Sequence, residues 1–120
     1  MANEIGSRGS VILVEYPYTD LSGSKVRPAV IVTADKYIPH SDDVLCAFIS
    51  SALPDPMLPS DIVLSSSSAE FAATGLRRTS ILRPHKLMLL SKRLAVEKLG
   101  DLPPSIVKKM DESLKDALGL

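Results

Sequence analysis

The chain is 120 residues long, 45% apolar, and carries fourteen Lys and Arg against fourteen Asp and Glu. One domain of this size buries roughly two-thirds of its unfolded surface, so neither disulfides nor a structural metal is required. The neutral balance excludes a protein that coats nucleic acid indiscriminately. No apolar run reaches the ~20 residues of a membrane span, and the opening Met-Ala-Asn-Glu-Ile lacks the layout of a secretory signal.

Residues 1–8 read as a flexible lead into one domain that takes up the rest of residues 1–120. Gly9-Ser10 opens a β-branched run, Val11 to Val14, that reads as a buried strand. Tyr16-Pro17-Tyr18 ends it, because proline cannot donate to a ladder. Thr19 to Lys25 is rich in turn residues and reads as a loop. Pro28 is expected to start a second strand that runs to Thr33. Residues 34–42 connect it to a third, Val44 to Ile49, apolar on both faces. That strand holds the single cysteine, Cys46, which reads as a buried thiol. Pro54, Pro56 and Pro59 mark an irregular crossing before a short fourth strand, Asp61 to Leu64. A fifth runs from Ser80 to Leu90, with Pro84 as a bulge or edge position. After Pro103-Pro104 the period changes. Ile106, Val107, Met110, Leu114, Ala117 and Leu118 recur at helical spacing, and Gly119 suits a C-terminal stop. Short strands, frequent turns and one amphipathic helix favour a mainly β fold: a strongly curved sheet or small barrel capped by a C-terminal helix.

The charges are segregated along the chain. Residues 35–70 carry six acids against Lys36 alone, and residues 71–98 carry seven bases against Glu97 alone. The chain has no glycine-rich phosphate loop and no nucleophile elbow. One cysteine and two histidines show no metal-ligand spacing, so neither a metal nor a cofactor is expected. Polar residues at strand ends remain. Arg27 stands at the exit of the loop, its backbone pinned by Pro28. Ser50 and Ser51 end the third strand, and Arg83 and His85 flank Pro84. A guanidinium holds phosphate bidentately and offsets charge that builds on it, and an imidazole exchanges protons near neutral pH. These are parts suited to cleaving a phosphodiester. Each also has a plain reading, as a solvated strand-edge arginine, turn serines or a surface histidine.

Read whole, residues 9–32, GSVILVEYPYTDLSGSKVRPAVIV, closely resemble the opening of the MazF/PemK family of bacterial toxins. The shared features are the glycine and apolar strand, the polar-aromatic loop, and Arg27-Pro28-Ala29 leading into a second apolar strand. Cys46 to Ser51, Thr74-Gly75-Leu76, Ser80 to Arg83, Lys98-Leu99-Gly100 and the helix ending Ala117 to Leu120 follow the same plan. The resemblance implies an SH3-like barrel of the MazF/PemK/CcdB type, a homodimer, and a cytoplasmic toxin blocked by a cognate antitoxin. The implied activity is metal-independent, sequence-specific cleavage of single-stranded RNA to a 2′,3′-cyclic phosphate. By position, Arg27 matches the main catalytic arginine and Ser50 a threonine of the family. Arg83 matches an arginine that some members use on phosphate. His85 stands where those members have an aspartate, which assigns proton transfer to an imidazole. Tyr16 is implied to stack on bases, and Ser22, Gly23, Ser24 and Lys25 to form the loop over RNA. Two rivals stay open: a CcdB-like gyrase poison with the same barrel, and an inactive relative that only binds RNA or a partner.

Overall fold

The computed structural model describes residues 5–17, 24–54 and 56–120. Six strands form one antiparallel sheet: β1 (Ser10–Pro17), β2 (Ser24–Ile31), β3 (Asp43–Ser50), β4 (Ile62–Leu64), β5 (Ser80–Ser91) and β6 (Ala95–Asp101). Their order across the sheet is β4-β5-β3-β2-β1-β6. Among the described residues one α-helix, α1 (Pro104–Leu118), follows β6. Both faces of the sheet are covered, one by a cluster that includes Val11, Val30, Ala47 and Leu82, the other by Ile12, Ala29, Ile31 and Cys46. Alternating residues therefore serve two apolar layers, as a curled sheet requires. Helix α1 seals the first layer with Met110 and Leu114, both buried. Its start and stop follow the sequence reading: Pro104 is the first helical residue, and Gly119 caps the C-terminus at φ 72°. Among the described residues no helix is long and apolar enough to cross a membrane. Burial pushes the Cys46 thiol up to about 12, which leaves it an inert core side chain.

Three details differ from expectation. Strand β2 begins at Ser24 and Pro28 lies in its interior, opposite Leu13. The proline is tolerated because pairing between β2 and β3 starts only at Ala29, so β2 has one neighbour at Pro28. Strand β6 had no sequence signal, because Val96, Glu97 and Lys98 are all exposed on an edge strand and give no apolar alternation. Ser7 and Arg8, expected in the flexible lead, are tied to the body. The Arg8 guanidinium pairs with Asp111 at 2.7 Å and donates to the Val32 carbonyl. Residues 1–4 of that lead lie outside the described residues.

The segments around Gly75 and Gly100 meet backbone to backbone. A Cβ at Gly75 would stand 2.1 Å from the Leu99 carbonyl oxygen, and one at Gly100 would stand 2.2 Å from that of Ala73. Gly75 also holds φ +73°, the left-handed region. This contact packs the 3-10 turn Phe71–Thr74 beneath β6 and sets where the chain enters β5. Gly100→Ala has room for its φ but none for its methyl. It is expected to lower unfolding free energy by about 3 kcal/mol, at the upper end for overpacking, in a urea titration. An unchanged midpoint would show that the two backbones can separate cheaply.

Candidate functional site

Residues directly opposite in an antiparallel pair project from the same face. Val14 stands opposite Arg27 and Tyr16 opposite Lys25. Ala29 stands opposite Phe48, and Phe48 opposite Arg83. One face thus carries Tyr16, Lys25, Arg27, Phe48, Ser50 and Arg83, beside the layer of Ile12, Val14 and Ala29. The β2–β3 ladder runs from Ile31–Cys46 to Ala29–Phe48 and stops. The same register continued by two residues would set Arg27 opposite Ser50. The sheet is open where these two side chains stand.

The residues singled out in the sequence meet different surroundings. Arg27 is part-buried, and among the described residues its guanidinium has no hydrogen-bond or ion-pair partner. Ser50 is locally engaged: its Oγ donates to the Ala52 carbonyl at 2.8 Å and accepts from the Ala52 N–H at 3.1 Å. Tyr16 packs its ring on Phe48, centroids 4.8 Å apart and planes tilted by 51°. Lys25 pairs across from it in the hairpin and Ser24 opens β2. Ser22 and Gly23, with Tyr18, lie outside the described residues.

Strand β5 carries the other half of the site. Arg83 pairs with Phe48 and Leu87 with Ala47, so Pro84, His85 and Lys86 have no partner on β3. This is the irregularity expected at Pro84. The Arg83 fork is held by Asp61: Nε donates to Oδ1 at 3.0 Å and Nη2 to Oδ2 at 3.2 Å. The Asp61 side chain is 0% exposed and that of Arg83 14%. The Leu58 N–H donates to Asp61 Oδ2 at 2.8 Å. His85 Nδ1 lies 3.8 Å from Asp61 Oδ1. Burial works to raise the Asp61 pKa, but the Arg83 hydrogen bond, the Leu58 N–H and the charges of Arg83 and His85 outweigh it and hold the carboxyl below its ordinary value. Asp61 escaped the sequence reading, which placed it in the fourth strand. Its only signal was a carboxylate missing from the position of His85.

The face therefore offers an uncommitted guanidinium at Arg27 and a hydroxyl at Ser50 with an aromatic pair alongside, and the His85 imidazole approaches it through Asp61, the partner of Arg83. That set suits a phosphate flanked by unpaired bases. A broad cleft of about 1260 Å³ bordered by Asp35, His40, Lys92, Arg93 and Lys98 lies toward the Asp42 end of β3, away from Ser50. It is lined by none of Tyr16, Lys25, Arg27, Ser50, Arg83 or His85.

The family model for PemK-like, MazF-like toxins of type II toxin–antitoxin systems matches residues 7–118. Among solved structures, an endoribonuclease in complex with its cognate antitoxin from a mycobacterial species superposes with a TM-score of 0.76 at 22% identity, covering 96% of each chain. The Mycobacterium tuberculosis toxin MazF-mt6 gives 0.73 at 20% identity, over 92% of this chain and 97% of its own. A MazE–MazF complex from Deinococcus radiodurans gives 0.73 at 16% identity, over 97% and 98%. Among curated proteins, none matches by sequence. The structural likenesses establish the fold, mainly β with a C-terminal helix, in agreement with the sequence reading.

The Asp61–Arg83 pair has a pH signature. Because the folded carboxyl titrates below the unfolded one, its stabilisation is complete above about pH 4 and is lost as pH falls through the folded value. Asp61→Asn is expected to cost about 3 kcal/mol at pH 7, the scale for breaking a buried pair. The gap between the two proteins should close as pH drops below about 4, read from denaturant midpoints across pH 2–7. A gap independent of pH would show that Asp61 acts without its charge.

Proposed function

Because the chain belongs to the PemK-like, MazF-like toxin family of type II toxin–antitoxin systems, we propose that it is a toxin that cuts single-stranded RNA at specific sequences without a metal. In this reading it works as a homodimer and is silenced by a cognate antitoxin. The observation that carries the reading is Arg27: a part-buried guanidinium, unpaired among the described residues, on the face it shares with Ser50, where the β2–β3 ladder stops. The solved endoribonuclease–antitoxin complex with the same fold supports both the activity and the partner.

The chemistry follows from the side chains. The ribose 2′-oxygen attacks the adjacent phosphorus, a P–O2′ bond forms and the P–O5′ bond breaks. The products are a 2′,3′-cyclic phosphate and a 5′-hydroxyl. Charge builds on the non-bridging oxygens, and Arg27 offsets it. Guanidinium does not give up a proton, so its part is electrostatic. Ser50 adds a donor to the same oxygens once its hydroxyl leaves the Ala52 carbonyl. His85 accepts the 2′-hydroxyl proton, and the departing O5′ is protonated from water. Tyr16, paired with Phe48, offers a stacking surface for a base. Lys25, opposite Tyr16 in the sheet, lies along the same path. Two of the five Arg83 N–H groups are committed to Asp61, so Arg83 reaches RNA only with those that remain.

Purified protein is expected to cut RNA in the presence of EDTA and leave cyclic-phosphate ends. Arg27→Ala should slow cutting by at least about 100-fold, the scale for losing one preorganised charge donor, with circular dichroism unchanged. RNA binding without cutting, or an Arg27→Ala variant as fast as wild type, would contradict the reading. His85→Ala should both slow the reaction and alter the shape of its pH profile. An unaltered profile would remove His85 from the proton transfer.

A further inference from the structure

Two unfilled hydrogen-bonding positions face each other beside the bulge in β5. A carboxylate has about four acceptor directions. Three of those on Asp61 are taken, by Arg83 Nε on Oδ1 and by Arg83 Nη2 and the Leu58 N–H on Oδ2. The free direction is on Oδ1. His85 Nδ1 lies 3.8 Å from that atom, is shielded from solvent, and has no hydrogen-bond partner. An unpaired buried nitrogen of this kind is unfavourable and favours any movement that supplies a partner. Closing the gap by less than about 1 Å brings it to hydrogen-bond length, a small side-chain movement of the kind that tightens when substrate binds.

We infer that Asp61 is a positioning residue for His85, accepting the Nδ1 proton so that the ring presents Nε2 to RNA as an acceptor. This rests on the reading of His85 as the proton carrier. Neutral imidazole has one protonated and one bare nitrogen, and the partner of one sets the state of the other. A carboxylate only accepts, so it selects the form with the proton on Nδ1. The side chain of His85 is 25% exposed, and Nδ1 contributes nothing to that exposure. The open part of the ring is therefore its other edge, where Nε2 stands.

The surrounding charges give the carboxylate a second task. On β5, Arg83 and Lys86 flank His85, and β3 opposes the bulge with the uncharged Ala47 and Phe48. Asp61 is the one anion in contact with the ring among the described residues. When Nε2 takes the 2′-hydroxyl proton, the O–H bond breaks, an N–H bond forms, and the ring becomes a cation. Asp61 then faces it as a counter-charge, as the third member of a nucleophile–base–orienter arrangement does. The Arg83 fork fixes the carboxylate in place for this, so Arg83 acts on the reaction through Asp61.

Nitrogen NMR on RNA-free wild-type protein reads the arrangement directly. The chain has two histidines, so His85→Ala assigns the signals. Neutral His85 is expected with its proton on Nδ1 and with Nε2 bare; a proton on Nε2 would overturn the inference. This reading needs no variant of Asp61 to fold and no cleavage to occur. If the wild type fails to cut RNA, the proposed function falls while the NMR result still decides the Asp61–His85 pair. In cleavage assays, Asp61→Asn is expected to lower kcat by about 10-fold or more with KM within about twofold. In a His85→Ala background the same change should have no further effect on kcat. Equal losses in both backgrounds would show that Asp61 supports only the structure.

Discussion

The site depends on a break in register. Strand β5 pairs with β3 on both sides of Pro84-His85-Lys86 but not through them. Had the ladder continued unbroken, these residues would have alternated between the two buried layers of the sheet. The bulge frees them from that alternation. Proline stabilises it, because a residue without an N–H cannot restore the lost bonds. On its near side, β5 pairs with β4, and the register of Ile62 with Leu82 carried back one step sets Asp61 opposite Arg83. The same few residues thus end one ladder, begin another, and bring a buried carboxylate within reach of an imidazole.

Two arginines on one face illustrate how the fold divides labour. Arg83 sits beside a fully buried carboxylate and spends its fork on it. Arg27 sits where β2 has a neighbour on one side only. The first has its charge neutralised in place and serves geometry. The second has no hydrogen-bond or ion-pair partner among the described residues, which leaves its fork available to an incoming phosphate. The charge segregation along the chain is partly undone in space by this pairing, since Asp61 comes from the acidic stretch and Arg83 from the basic one.

What the sequence revealed follows the same physics. Strands β1 to β3 were legible because their apolar residues are consecutive or alternate, and α1 because its stripe has a helical period. Strand β6 was silent because its exposed Val96, Glu97 and Lys98 resemble a loop. Arg27 and Ser50 stood out as polar residues at the ends of apolar strands. Asp61 did not, because its role depends on a contact 22 residues away in sequence. Gly75 and Gly100 belonged to the resemblance, but only the structure shows why they are glycines: each lies against the backbone of the other's segment.

The central claim is that RNA lies on the face of Arg27 and His85. A structure of the protein with a short RNA, its scissile nucleotide made uncleavable by a 2′-deoxy sugar, tests this most directly. The scissile phosphate is expected within hydrogen-bond reach of the Arg27 guanidinium, with His85 Nε2 toward the 2′ position and a base stacked near Tyr16. A phosphate seated instead in the cleft of Lys92, Arg93 and Lys98 would contradict it.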